Sequence, residues 1–319
     1  SPLRIMSRVI FGGWDFNKFD LVIVSATGAY IPNLIKTRKK CLHICYCHTP
    51  PRYLYGYPTA RNWKNSLAGR VIGEIVNHSL RLTDFEAAQK PDYYIANSNE
   101  VRRRIKKFYR REATVIYPPA FAEATVGKPA FAEATVGKPA FVKTSADKRN
   151  EKKSEYYLAG GRLARAKHID LAILAANKMK FKLKIFGKAF AGYGNELNNL
   201  AQSTVEFLGE VDEDNLNNLY RNCKALIYPS EDEDFGIMPV EAQAFGKPVV
   251  AFKSGGVPES VVEGKTGVFF DKLSVESITL AIRKLEKINI RREDCVKNAM
   301  KFSKDRFKKE MLEFVNKHA

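Results

Sequence analysis

Leu226 to Val250, LIYPSEDEDFGIMPVEAQAFGKPVV, constrains the fold of this chain more than any other stretch. It reads as a buried strand over Leu226 to Tyr228, an acidic loop with Phe235-Gly236, a short helix opened by Pro239, a stop at Gly246 and a second strand at Val249-Val250. Proline early in a helix wastes no hydrogen bond, and glycine just past the end supplies the positive φ of the exit. Strands alternate with helices in this way along most of the chain. That implies parallel sheets and two doubly wound α/β units facing a cleft. On this reading Glu233 sits in the loop and Glu241 in the first helical turn, on either side of the anion site formed by the helix's free N–H groups. Carboxylates accept hydrogen bonds from sugar hydroxyls, so two acids beside a phosphate site suit hydroxyl recognition. The plainer alternative is an acidic loop and a glutamate that only complements the helix dipole.

The two acids, separated by DFGIMPV and followed by AQAFGKPVVA, resemble the E-x7-E signature of retaining glycosyltransferases of family 4, which have the GT-B fold. The resemblance implies that Glu233 contacts the donor sugar hydroxyls and Glu241 the nucleotide ribose, with Phe235 and Gly236 in register in the donor site. Further upstream, YYLAGGRLARAKHIDLAILAANKM reads as a strand, the glycines Gly160-Gly161, two cations and an apolar-periodic helix from Ile169. Glycines after a strand let the backbone approach a phosphate, and Arg162 and Lys167 are spaced to clamp a diphosphate. They match the family's G-R-x4-K element, which binds the donor diphosphate. Because cations there do what Mg²⁺ would do, no metal and no cofactor beyond the nucleotide-sugar donor, GDP-mannose or a UDP-hexose, is expected. The SGGVPESV segment resembles the family's glycine pair and following acid, which places Glu259 on the nucleotide side.

The first unit carries fewer landmarks. Ser1 to Phe19 shows no clear element, and FDLVIVSATGAY is a short strand with no glycine-rich unit before it, so the expectation is a first unit lacking its N-terminal part. In CLHICYCHTPPRYLY, strand alternation places Cys41, His43, Cys45 and Cys47 on one face and Leu42, Ile44 and Tyr46 on the other. Cysteine and histidine on one face raise a zinc site, but the spacing lacks paired knuckles and buried cysteine is the ordinary reading. His48 falls where the strand ends, at the sheet edge where open α/β folds bind ligands. HICYCHTPPRYLY also resembles the acceptor-side motif of mannosyltransferase-like members of the family, which would put His48 beside the transferred sugar. Arg70 to Lys90 reads as a helix and DYYIANS as a strand. Asn97 and Glu100 suit a capping box for VRRRIKKFYRR, whose stripe is Val101, Ile105, Phe108 and Tyr109 and whose remaining faces carry Arg102, Arg103, Arg104, Lys106, Lys107, Arg110 and Arg111. The expected organisation is an acceptor-side unit over 1–118, a linker over 119–154 containing FAEATVGKPA twice, a donor-binding unit over 155–300, and a helix over 301–319 returning to the first unit.

Of the net charge of +18, +12 falls in residues 1–120, where 20 Lys and Arg face 8 Asp and Glu. An anionic membrane surface is the partner this favours, since nothing resembling a base-stacking platform accompanies the charge. No apolar run is long enough to span a bilayer, nothing at the start reads as a signal peptide, and five cysteines suit a reducing compartment. The expectation is a cytoplasmic protein, peripheral on the inner face of the membrane. The function expected is transfer of a hexose, with mannose foremost, to a glycan or lipid-linked acceptor. A non-catalytic sugar-nucleotide-binding protein and a basic membrane or nucleic-acid adaptor are the alternatives.

Overall fold

The computed structural model describes residues 2–28, 31–57, 67–120 and 155–319. The tandem repeat of the linker lies outside them. The first α/β unit contains α1 (Pro2–Gly12), β1 (Leu21–Ala26), β2 (Leu42–Cys47), α2 (Leu67–Ala88), β3 (Tyr93–Ala96), α3 (Asn99–Tyr109) and β4 (Thr114–Val115), with its strands parallel in the order β1-β2-β3-β4. The second contains β5 (Tyr156–Gly160), α4 (Ile169–Met179), β6 (Lys182–Phe186), α5 (Tyr193–Leu200), β7 (Val205–Gly209), α6 (Glu213–Asn222), β8 (Leu226–Tyr228), α7 (Ile237–Ala244), β9 (Val249–Phe252), α8 (Val257–Ser260), β10 (Gly267–Phe270), α9 (Val275–Lys287) and α10 (Arg292–Ala299). The chain ends with α11 (Lys304–His318).

The second sheet runs β10-β9-β8-β5-β6-β7, all parallel. Its order reverses between β5 and β8, and that reversal opens a crevice at the carboxyl ends of these two strands. Alternation along the strands buries both faces. Tyr157, Ala159, Ile185, Ile227 and Val250 pack with Ile173, Leu197, Ile278 and Ile282 under α4, α5 and α9. Leu158, Leu226, Tyr228, Val249 and Ala251 pack on the opposite face with Tyr220 and Ala242 from α6 and α7. Continuous apolar strands with helices on both sides are what a doubly wound sheet requires.

The alternating segment before His48 behaves the same way. Cys45 and Cys47 pack against Val101, Ile105 and Tyr109 of α3, whereas Ile44 and Tyr46 pack with Ile95, Ile116 and Phe314 of α11. All five cysteines are free and buried, and among the described residues no group of His, Cys, Asp and Glu is placed to hold a metal. Helix α11 therefore covers the rear of the first sheet, with Phe307 edge-on to Tyr46 at 5.7 Å and Phe314 against Tyr93 at 6.1 Å.

Four local expectations are corrected. The opening residues form α1, tied to α2 by Arg8–Glu86 at 3.3 Å. The N-cap of α3 is Ser98, whose Oγ accepts from Val101 N, because Glu100 is drawn to Arg103 and Arg104 instead of reaching back. Arg104 does not face solvent: it is 2% exposed, on the side of α3 turned toward the second unit. Finally, α7 opens at Ile237 behind a Gly236 N-cap, so Glu241 lies in the second turn.

Candidate functional site

Four chain segments meet at the strand-order reversal. After β5, Gly161 turns with φ +94°, and a side chain there would come within 2.9 Å of Met238 Sδ at the start of α7. The 3-10 turn Arg165–Lys167 follows, and the acidic loop after β8 lies beside it, with Glu231 N donating to Ala166 O at 3.0 Å. The third wall is Ser254-Gly255-Gly256 after β9. A Cβ on Gly255 would approach Glu233 O to 2.1 Å and one on Gly256 would approach Asp234 O to 2.4 Å, so only glycines let this strand end press against the loop. Gly256 N donates to Glu233 O at 2.8 Å and Ser254 Oγ accepts from Asp232 N at 3.0 Å, which fixes the loop's path.

Within this crevice Lys167 Nζ and the Glu233 carboxylate form an ion pair, and the Lys167 ammonium lies 5.7 Å from the Tyr228 ring centroid. Burial pushes the Glu233 carboxyl up, but Lys167, Arg52 and the Tyr228 hydroxyl outweigh it and hold the group below its ordinary value. Glu241, a turn further along α7, is half-buried and accepts from Tyr220 Oη at 2.8 Å. Burial dominates there and raises its carboxyl. Two glutamates eight positions apart thus have opposite electrostatics, one charged beside a cation and one poised toward the neutral form. Arg162 is exposed at the mouth and makes no ion pair among the described residues. The first N–H groups of α7 are not capped by any side chain. A diphosphate entering here would meet a free guanidinium, an ammonium and a helix N-terminus.

The structure therefore brings together Gly161, Lys167, Glu233 and Gly236, sets Arg162 at the rim and places Glu241 deeper. The Phe235 ring lies elsewhere. It is buried between Tyr117 and Phe302 at centroid distances of 5.6 and 5.2 Å, so any donor contact at this position is through backbone. Glu259 is also committed elsewhere: its carboxylate accepts from Asn99 N at 2.7 Å, Glu100 N at 2.9 Å and Tyr117 Oη at 3.1 Å, capping α3 of the first unit.

His48 faces the crevice from the first unit. It follows β2, and its Nε2 lies 2.9 Å from Ser25 Oγ at the end of β1, its ring edge-on to Tyr46. Burial lowers its pKa, opposed by the Asp234 carboxylate across the cleft, so the ring is neutral at pH 7. The carboxyl ends of both sheets thus confront each other. Two residues not singled out from sequence join them. Arg52, in the turn after His48, donates to Asp234 Oδ1 at 2.9 Å, and Arg104 Nη1 donates to the same oxygen at 2.5 Å.

The arrangement of two parallel α/β sheets facing each other recurs in known proteins. Sucrose-phosphate synthase from Thermosynechococcus elongatus superposes with a TM-score of 0.67 at 16% identity, covering 94% of this chain and 74% of that one. Anabaena HepE in complex with UDP and glucose superposes with a TM-score of 0.61 at 19% identity, covering 86% of this chain and 78% of that one. The shared architecture is GT-B. In sequence, the chain is 31% identical over 159 residues to an uncharacterized glycosyltransferase of Methanocaldococcus jannaschii, covering 49% of this chain and 45% of that protein. It is 26% identical over 293 residues to the alpha-1,3/1,6-mannosyltransferase ALG2 of Dictyostelium discoideum, covering 83% of this chain and 66% of that protein. The chain thus spans about half to two thirds of the length of these relatives. The family model described as glycosyl transferases group 1 matches residues 142–302, which include every residue of the crevice after β5, β8 and β9, and the chain belongs to that family.

Proposed function

We propose that the chain is a retaining glycosyltransferase of the family 4 type that moves a hexose, with mannose foremost, from GDP-mannose or a UDP-hexose to a hydroxyl of a glycan or lipid-linked acceptor. The observation that carries this reading is the Lys167–Glu233 pair at the strand-order reversal, with the free Arg162 and the uncapped α7 beside it. In such a transfer the bond from the anomeric carbon to the diphosphate oxygen breaks and negative charge collects on the leaving diphosphate. Lys167, the first N–H groups of α7 and the Arg162 guanidinium at the rim supply positive charge and dipoles beside that group and stabilise it. Glu233 accepts hydroxyls of the transferred sugar while Lys167 holds it ionised. Glu241 accepts from the nucleotide ribose, and the neutral His48 approaches the sugar from the acceptor side. ALG2 is a mannosyltransferase by name and HepE was seen with UDP and glucose, which supports a nucleotide-sugar donor and leaves both bases in contention. A thermal-shift panel of UDP, GDP and their hexose conjugates tests the reading. Binding to the folded state at a hundred times the dissociation constant stabilises by about 2.7 kcal/mol, so one nucleotide series is expected to raise the melting temperature. No shift with either series would sink it.

The acceptor and a peripheral site at the inner membrane face enter through the first unit. On α1, just after it, and on α2, Met6, Val9, Trp14, Ile75 and Leu82 are more than half exposed. Basic α3 adjoins α2, since Arg110 lies 6.0 Å from the Phe85 ring of α2. Exposed Arg102, Arg103, Lys106 and Lys107 extend the positive surface. Apolar side chains rimmed by cations suit the interface of an anionic bilayer, where each basic residue contributes about 1 kcal/mol. The protein is expected to co-sediment with vesicles containing phosphatidylserine and to be released as salt rises. Equal binding to neutral vesicles would refute the electrostatic part, and charge reversal at Arg103, Lys106 and Arg110 tests α3 directly.

A further inference from the structure

The loop that carries Glu233 is held from outside its own unit. Asp232, just before Glu233, has φ +51°, a left-handed conformation that aspartate tolerates better than most side chains and that the loop's contacts hold in place. Its carbonyl accepts from Arg104 Nη2 at 3.1 Å and from Arg52 Nη2. Asp234, just after Glu233, accepts at Oδ1 from Arg52 Nε at 3.3 Å and Nη2 at 2.9 Å and from Arg104 Nη1 at 2.5 Å, while its carbonyl accepts from Ser98 Oγ at 2.5 Å. Both flanks of Glu233 are therefore gripped by the first unit.

The two guanidiniums are themselves immobilised. Arg104 pairs with Glu100 at 3.0 Å, donates to Thr49 Oγ1 at 3.2 Å and stacks 4.4 Å from the Tyr57 ring. Arg52 lies in a turn anchored by Tyr55, whose hydroxyl donates at 2.8 Å to the buried Asp84. A surface ion pair would contribute little, but here one partner is 2% exposed and one carboxylate oxygen serves two fixed forks.

We propose that Arg52 and Arg104 are positioning residues that set Glu233 in the donor crevice from the opposite unit, acting through Asp234 and the Asp232 carbonyl, so that the donor site is complete only when the units are closed. This rests on the donor-site reading above. Nucleotide is held by Arg162, Lys167 and Glu241 of the second unit, whereas the sugar-facing Glu233 depends on the clamp. Displacement of a catalytic contact by about 1 Å can cost a hundredfold in rate while leaving ground-state binding of the remote part intact.

The test uses the full chain and Arg52→Met, with Arg104→Met as a second variant and Arg52→Lys as the conservative one. Three quantities are measured: calorimetric affinity for UDP and GDP, the rate of nucleoside diphosphate release from UDP-glucose and GDP-mannose, and the radius of gyration by solution scattering. Expected results for Arg52→Met are nucleotide affinity within twofold of the parent, kcat lowered tenfold or more, partial recovery in Arg52→Lys, and a larger radius of gyration. An unchanged kcat overturns the proposal, and so does a nucleotide affinity that falls in step with kcat. If the parent protein binds neither nucleotide, the donor-site reading fails, and scattering decides the clamp alone: a larger radius in Arg52→Met and Arg104→Met supports it, and an equal radius overturns it.

Discussion

Lys167→Ala is expected to lower turnover by about a hundredfold or more, the scale of losing one fixed stabiliser of developing charge in an active site. The same change should raise the carboxyl of its partner. With the ammonium present, the Glu233 carboxyl is held below its ordinary value. A depressed folded-state pKa contributes stability that is present above the unfolded value of about 4.3 and is lost as pH falls through the folded value. Without Lys167, only Arg52 and the Tyr228 hydroxyl oppose burial, so the carboxyl should rise relative to the parent and the variant should lose less stability as pH falls from neutrality. The loss at pH 7 should be smaller than the about 3–5 kcal/mol of a fully buried pair. The Lys167 side chain is 22% exposed, and a lone Glu233 can take up a proton. Melting temperatures between pH 4 and 8 for both proteins, together with nucleoside diphosphate release, check the argument. Parallel pH profiles would show that the pair is not coupled in solution.

Arg162→Ala and Glu241→Ala should separate the two halves of a nucleotide. Arg162 has no partner among the described residues, so removing it leaves no unpaired charge behind, and its effect reads directly as lost ligand contact. A charge-assisted hydrogen bond is worth about 1.5–3 kcal/mol. Calorimetry should therefore show UDP or GDP weakened about tenfold to a hundredfold, with uridine or guanosine unchanged. In Glu241→Ala both nucleoside and nucleoside diphosphate should weaken, because a ribose contact is common to the two. Tyr220 complicates this variant, since its buried hydroxyl loses its acceptor. Glu241→Gln retains an acceptor for Tyr220 and isolates the ligand effect. Equal losses for nucleoside and diphosphate in Arg162→Ala would remove that residue from the phosphate site.

The elements legible in the sequence were those whose information is local. Strand β8, the loop, α7 and β9 follow from apolar runs and turn residues within a few positions, and Gly160-Gly161 marks the end of β5 in the same way. Boundaries moved where tertiary contacts intervened: α7 extends two residues upstream of Pro239 because Gly236 can adopt the left-handed N-cap. Helix α1 gives little warning in the sequence, since what it meets, Glu86 of α2 and the turn at Pro32–Leu34, is distant along the chain. Arg104 reads in the sequence as one basic residue among several on α3, because helical periodicity separates apolar from polar positions and does not say which polar position meets a carboxylate 130 residues away. Arg52 lies in a turn, where no periodicity marks the direction of a side chain. The surplus of acids in EDED beside a basic first unit was the available signal, and it was read as overall charge instead of as a contact. Glu259 shows the converse: a motif resemblance placed it toward the nucleotide, whereas the nearest free N–H groups, those of α3, claim it.

The covering of the first sheet by α11 has a consequence for the order of events on the ribosome. Ile44, Tyr46, Ile95 and Ile116 present a greasy rear wall from early in synthesis, yet the side chains that shield it, Phe307, Met311, Phe314 and Val315, emerge after the whole second sheet has been made. Contacts this remote in sequence form late, because the entropy of closing the long intervening chain must be overcome first. The nascent first unit thus keeps this wall uncovered for the duration of translation of the second, the condition under which a folding intermediate is prone to aggregate.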